Sequence, residues 1–399
     1  MSRQIVTGID IGTLETKVII AEGVVDNGHF SPKIIGIGSA LTRGVERGYV
    51  VDPHEVSTSV QEALMKAEKT AQVKVRRAYA SFGGLGLSSL TSTGSVVITR
   101  ADLEVTDRDL TLALEAAQSA IPNSALTNKK IINTIPIEYK LDGKVAWGDP
   151  VGLKAQKLEV KALFITGLEH HIGNLIKAIE EAGPEVVDVL PAPTTGSLVT
   201  VSKKQRRVGA LFVDLGAETM SVVAYENGHP VSLEVFQVGS EDITNDIALG
   251  LKVSLEEAEV IKLGGLSRAP YSKKKLDEIV SARLSDCFEL IEEHLKKIGR
   301  DKLLPAGAII SGGGSRISGL KNFAEEALGL PAQLAEVHFG SGEKNRIKDN
   351  SWAIACGLAL SGFNNDGENN VLKIRTPLSG GGGQEVLRKV SKWFSQFLP

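Results

Sequence analysis

The sequence predicts an α/β protein of two domains that face each other, with a small α+β subdomain inserted into the first and an amphipathic helix tethered at the end. Three observations predict it. A hairpin-type segment occurs twice, each copy is followed by a helical pattern, and residues 362–399 change composition abruptly.

The duplication is gapless. Asp10-Ile-Gly-Thr-Leu-Glu-Thr-Lys-Val-Ile-Ile-Ala-Glu22 aligns with Asp214-Leu-Gly-Ala-Glu-Thr-Met-Ser-Val-Val-Ala-Tyr-Glu226, 204 residues later. Apolar β-type runs flank both copies, and Asn27-Gly28 and Asn227-Gly228 supply hairpin turns. Each half thus reads strand, Asp-x-Gly turn, strand, turn, strand. Helical patterns follow at 53–71 and 241–263, with Ser254-Leu-Glu-Glu257 as a capping box. Between 83 and 167 the pattern changes. A Ser/Thr-rich alternating stretch (85–100), a helix capped at Thr106 and running to about Ala120, and strands at 131–140 and 158–166 make the inserted α+β unit. An insertion that contributes nothing to a cleft should be removable without loss of ligand binding, and free to meet a neighbouring subunit. A second, helix-rich insertion spans roughly 251–304.

Composition excludes several classes. The 399 residues carry 45 Lys+Arg against 48 Asp+Glu, a net charge of −3 that offers no nucleic-acid footprint. Cys287 and Cys356 are the only cysteines, each in an apolar helical pattern, so neither a disulfide framework nor a Cys-based zinc site is expected. The seven histidines show no metal-ligand spacing, and His170-His171 opens an ordinary helix. The N-terminus is not of secretory type, and no apolar run approaches the roughly 18 residues of a membrane span.

The paired Asp-x-Gly turns make chemical sense as a phosphate clamp. Glycine lets backbone N–H groups approach phosphate oxygens, while Asp10 and Asp214 hold a hydrated Mg²⁺ between them. A third element, the strand entering Gly312-Gly-Gly314-Ser315, is a backbone platform for a flat ligand or phosphate.

Together with Val186–Val201 and the Ala/Gly-rich helix at 351–361, these segments resemble the actin/Hsp70/sugar-kinase superfamily, and within it the FtsA family of bacterial division proteins. The resemblance covers essentially the whole chain and implies a two-domain actin-like ATPase fold with ATP and Mg²⁺ in the cleft. It places Asp10, Gly12, Thr13 and Lys17 in the first phosphate loop, and Asp214, Gly216, Ala217 and Glu218 in the second, with Gly239 beside them. It further implies Glu259 and Lys262 at ribose and adenine, and Gly312, Gly313, Gly314 and Ser315 at adenosine. The implied domains are 1A (1–82 and 165–202), an FtsA-type 1C insertion (83–164), 2A (203–250 and 305–361) and 2B (251–304). The segment from Asp188 to Thr195, where such ATPases orient the attacking water, holds Thr194 and Thr195 but no Gln or His, so ATP binding with weak or absent hydrolysis is expected.

The tail completes the reading. Residues 362–383 end in four glycines and form a flexible linker, and 384–399 follow as a helix. Val386, Leu387, Val390, Trp393, Phe394, Phe397 and Leu398 fall in an arc of roughly 140°. Arg388, Lys389 and Lys392 lie outside it and suit anionic headgroups. Lys273, Lys274, Lys275 and Arg283 offer cations for an acidic, apolar peptide, which the resemblance identifies as the FtsZ tail. Self-association into filaments and a place on the cytoplasmic membrane face at the division site are implied with it. The alternatives are a PilM-like component of a pilus platform, against which the tail helix weighs, and a soluble sugar or acetate kinase, for which no substrate base is assignable.

Overall fold

The structure, a computed structural model, describes residues 4–26, 29–266, 270–340 and 346–366. The expected Asn27-Gly28 turn, residues 367–383 of the expected linker and the terminal amphipathic helix lie outside the described residues, whereas positions 362–366, expected to begin the linker, are instead the last residues of a helix that ends at Asp366.

The first half opens with β1 (Gln4–Ile11), β2 (Glu15–Asp26) and β3 (His29–Leu41), an antiparallel meander with Asp10 opposite Lys17. A small hairpin, β4 (Val45–Glu46) and β5 (Tyr49–Val50), leads to α1 (Pro53–Ala71). Asp52 caps this helix by accepting from the N–H groups of His54 and Glu55, and Pro53 stands in the first turn, where its missing N–H costs nothing. β6 (Arg77–Phe82) then runs parallel to β1.

The insertion follows: β7 (Ser88–Val97), α2 (Asp107–Ser119), β8 (Lys129–Leu141), β9 (Lys144–Ala146) and β10 (Lys157–Leu168), with sheet order β7-β10-β8-β9. It is not a detachable module. Ile135, Leu163 and Ile165 are fully buried in the same apolar cluster as Ile9, Val18 and Ala80 of the first sheet. Excising the insertion would uncover that core, so the expectation that it can be deleted without consequence for the cleft is corrected.

The chain returns through α3 (Glu169–Glu181), β11 (Glu185–Pro191), α4 (Ala192–Thr200) and α5 (Lys203–Val208). The second half begins with β12 (Ala210–Leu215), β13 (Met220–Glu226) and β14 (His229–Phe236). The helical pattern at 241–263 is two helices, α6 (Ser240–Leu251) and α7 (Leu255–Lys262), because Lys252 adopts φ +59° and Ser254 caps a fresh start. Then come α8 (Lys273–Lys297), β15 (Ala308–Ser311), α9 (Leu320–Leu328), β16 (Ala332–Leu334), β17 (Val337–His338), β18 (Arg346–Ile347) and α10 (Ala353–Asp366).

Both main sheets have five strands in the same spatial order: β11-β6-β1-β2-β3 in the first and β16-β15-β12-β13-β14 in the second. The duplication seen in the hairpins therefore extends to the crossover strands. Two helices join the halves. α10 follows the second sheet yet buries Ala355, Leu358 and Ala359 in one cluster with Val6 and Tyr79 of the first, while α4 leaves the first sheet and brings Gly196 against Phe212 of β12.

Candidate functional site

Two turns of identical construction face each other between the halves. Gly12 donates its N–H to the Glu15 carbonyl at 3.2 Å, and Gly216 donates to the Thr219 carbonyl at 2.9 Å. A Cβ at Gly12 would lie 3.0 Å from that carbonyl oxygen, and one at Gly216 would lie 2.8 Å away, so neither turn closes comfortably around a side chain. Thr13 and Ala217 occupy the tips.

Asp10 and Asp214 stand at the ends of the two central strands. Asp10 accepts from the Ser81 hydroxyl at 2.6 Å. Burial raises its pKa, opposed by that hydrogen bond and by Lys17, while Glu15 adds to the rise. Asp214 is pushed up to about 7, first by burial and then by the charge of Asp10, with Lys17 opposing. Each carboxylate thus makes the other harder to ionise. Lys17 lies 3.3 Å from Glu15 and 5.9 Å from the Trp352 ring centroid, at the edge of the pair. A pair of buried, mutually repelling carboxylates with oxygen donors only suits a hard, hydrated cation such as Mg²⁺, which removes the repulsion without needing a closed protein cage. Asp10 and Asp214 are the residues that would hold it, directly or through water.

The second hairpin is tied to the start of α6. Ser240 N–H donates to Gly216 O at 2.9 Å and Glu241 N–H to Ala217 O at 2.8 Å, which brings the positive end of that helix beside the turn. Gly239 sits between them: a Cβ there would be 2.0 Å from Ala217 O. After β15, Gly312 adopts φ +90° with its hypothetical Cβ 2.7 Å from Asp214 Oδ1, whereas a Cβ at Gly313 meets nothing within 4 Å. The platform's exposed face is therefore Gly313. Ser315 locks the loop by sharing its single hydroxyl proton between Gly312 O at 2.7 Å and Asn350 Oδ1 at 2.8 Å.

Glu259 and Lys262 are brought together, although not as free ligands. The buried Lys262 ammonium donates to Ser240 O at 3.0 Å and Thr244 Oγ1 at 2.8 Å, and meets Glu259 at 2.6 Å. Its three hydrogens are used. Lys262 thus braces α7 against α6, and Glu259 is the member of the pair that remains partly exposed.

Of the cations expected to meet a peptide, Lys273, Lys274 and Lys275 are exposed in the first turn of α8. Arg283 is committed within the chain: it donates to Asp246 at 2.7 and 3.2 Å and to Asp286 at 3.2 Å. The hydroxyls of Thr194 and Thr195 both donate to Pro191 O, at 2.9 and 2.7 Å, so neither proton is free to orient a water. Val386, Leu387, Arg388, Lys389, Val390, Lys392, Trp393, Phe394, Phe397 and Leu398 lie outside the described residues. Among the described residues no group of three or more His, Cys, Asp or Glu is placed to hold a metal, and no helix is long and apolar enough to cross a membrane. Sequence reasoning missed Ser81 and Asn350. Their only signal was position, at the end of β6 and before α10.

Family models match both parts of this architecture: the one described as cell division protein FtsA covers residues 211–357, and the one described as the SHS2 domain inserted in FtsA covers residues 84–166. The cell division protein FtsA of Bacillus subtilis is 28% identical over 360 residues, covering 85% of this chain and 80% of its own length. That of Borreliella burgdorferi is 27% identical over 417 aligned residues, covering 99% of each. The chain belongs to the FtsA family. Its fold is actin-like, with the FtsA-type insertion in place of other subdomains. Solved structures agree on the fold: the PilM–PilN type IV pilus biogenesis complex superposes with TM-score 0.64 at 19% identity, over 90% of this chain and 98% of that one. MreB5 of Spiroplasma citri bound to ADP superposes with TM-score 0.53 at 12% identity, over 91% and 97%.

Proposed function

We propose that this FtsA-family chain binds Mg²⁺–ATP between its two halves, polymerises, and tethers FtsZ filaments to the cytoplasmic face of the membrane during division. One observation carries the nucleotide reading: beside the duplicated Gly turns, burial first and the charge of Asp10 second push Asp214 up to about 7, a state a divalent cation with phosphates relieves. The ADP in the MreB5 neighbour's description supports the same class of ligand. With Thr194 and Thr195 turned to Pro191 and no Gln or His on that segment, the chain holds ATP far better than it hydrolyses it.

The tail supplies the membrane contact, and Lys273, Lys274 and Lys275 supply the FtsZ peptide contact. One short interfacial helix binds reversibly, while several on one filament gain avidity of roughly 10²–10⁴-fold. The test is co-sedimentation of the full chain with anionic liposomes and an FtsZ tail peptide, with and without Mg²⁺–ATP. Trp393→Glu should leave the protein in the supernatant, and Lys273→Glu with Lys274→Glu should lose the peptide but not the liposomes. A liposome-binding curve that is a simple hyperbola, unchanged by ATP, would refute the coupling of polymerisation to recruitment.

A further inference from the structure

The hairpin of β4 and β5 turns at Arg47-Gly48 with φ of +51° and +75°. Two left-handed residues define the mirror-image turn that suits a tight hairpin, and Asn-Gly is its usual occupant. An arginine held there signals contacts that repay the strain. On one side the turn is pressed into its own domain: a Cβ on Gly48 would lie 2.5 Å from Gly84 Cα, and Leu85 N–H donates to Arg47 O at 3.4 Å. On the other side it reaches the second domain. Arg47 N–H donates to the Glu218 carboxylate, and with the Gln237 amide turned so that its oxygen faces the guanidinium, Arg47 Nη1 and Nε donate to that oxygen at 2.5 and 3.0 Å.

Four residues before Gln237, a second grip holds the same strip. β14 is the edge strand of the second sheet. Ser89, at the root of the inserted subdomain, donates its hydroxyl to Leu233 O at 2.9 Å and accepts from Leu233 N–H at 2.7 Å. One side chain thus satisfies both backbone groups of a fully buried residue.

We propose that Arg47 and Ser89 form an interdomain latch that closes with the cleft and fixes the inserted subdomain against the second domain in the same event. The inference rests on the nucleotide reading above. Glu218 belongs to the second phosphate-type hairpin, and Gln237 leads into α6, whose first amides bond that hairpin. The two halves are joined by α4 and α10, so opening about those helices must either break the Arg47 and Ser89 bonds or drag the root of β7 along with β14. The orientation of the insertion therefore follows the state of the cleft, and both grips retard escape of a bound nucleotide.

The test uses the full chain with Mg²⁺ and a fluorescent ADP, read by stopped-flow release and by hydrogen exchange. In the wild type, bound ADP should increase protection of both 84–97 and 229–239. Arg47→Gly keeps the turn geometry and should speed release about tenfold, the equivalent of one or two hydrogen bonds. Ser89→Ala should do the same and raise exchange at Leu233 even without nucleotide, while Ser89→Thr, which retains the hydroxyl, restores both. Arg47→Gly also covers the case in which Ser89→Ala folds poorly. Normal ADP binding with wild-type release in both variants, or unaltered protection of the two segments, overturns the latch alone. Failure of the wild type to bind ADP overturns the nucleotide reading together with the latch.

Discussion

Asp10 and Asp214 occupy the same point of two duplicated hairpins, and their surroundings differ, first of all by a hydroxyl. Ser81, at the end of β6, donates to Asp10 at 2.6 Å. Ser311, which pairs with Asp214 across β12 and β15, turns away and donates to Asn350 O at 3.0 Å. The glycines that follow diverge too: a Cβ at Gly83 would meet Ala192 Cβ at 3.0 Å, whereas one at Gly313 meets open space. Repetition preserved strand order, turn and carboxylate. The electrostatics and access were then set by residues outside the repeat. The first half is closed around its aspartate, and the second keeps a bare platform and an aspartate whose counter-charge among the described residues, Lys17, comes from the other half.

The comparison can be broken most severely at the turns. Gly216→Val forces a Cβ to 2.8 Å from a backbone oxygen and Gly12→Val to 3.0 Å, so both should lose Mg²⁺–ATP by roughly 10²-fold, Gly216→Val the more. Calorimetry showing wild-type affinity for either variant contradicts the clamp. At the glycine pair the two halves should respond in opposite ways. Gly313→Val should leave the melting temperature unchanged and weaken ATP, because its side chain enters only the platform's open side; Gly83→Val should lower the melting temperature by pressing on Ala192. A matched fall in both melting temperatures would show that the platform is not open.

A smaller effect is expected from pH. In the nucleotide-free chain Asp214 titrates near 7 against 3.8 for an ordinary carboxyl, so between those values the folded state holds a proton that the unfolded state has released. Stability from this group is present at low pH and is lost as pH rises toward 7, with a slope of at most about 1.4 kcal/mol per pH unit. Asp214→Asn should flatten the slope in denaturant titrations at pH 4.5 to 7.5. Affinity for Mg²⁺–ATP should move the other way, rising from pH 6 to 8 as the competing proton leaves.

Much of this was legible in the chain itself, and the reasons are specific. The turns were visible because Asp and Gly are each dictated by local geometry, so both survived at a fixed spacing. The break at Lys252 was half visible, through the Ser254 cap, while the helical periodicity ran past it. The shared strand order was hidden, since β6 and β15 carry different apolar residues and different segments precede them, α1 before one and α6, α7 and α8 before the other. Lys262 and Arg283 looked like available cations because sequence shows a charge and not its partner; Ser240, Thr244, Asp246 and Asp286 appear beside them only after folding. Arg47 and Ser89 gave no signal at all, one lying in a short turn and the other in a Ser/Thr-rich strand.

The finest test of the comparison removes its single hydroxyl. Ser81→Ala leaves Asp10 buried without its donor, so its carboxyl, already raised by burial, should rise further, and the first half loses the hydroxyl that the second half lacks. A hydrogen bond to a charged group is worth about 1.5–3 kcal/mol, part of which water entering from the cleft recovers, so a several-fold loss of Mg²⁺–ATP affinity at neutral pH is expected. The pH profile is the sharper readout. Because the two carboxyls interact, raising one raises the pair, and binding in Ser81→Ala should depend more steeply on pH than in the wild type. Ser311→Ala serves as the control, since its hydroxyl bonds Asn350 O and gives nothing to Asp214. Its profile should match the wild type. If Ser81→Ala matches the wild type as well, burial and mutual repulsion alone set both aspartates, and the hydroxyl does not distinguish the halves.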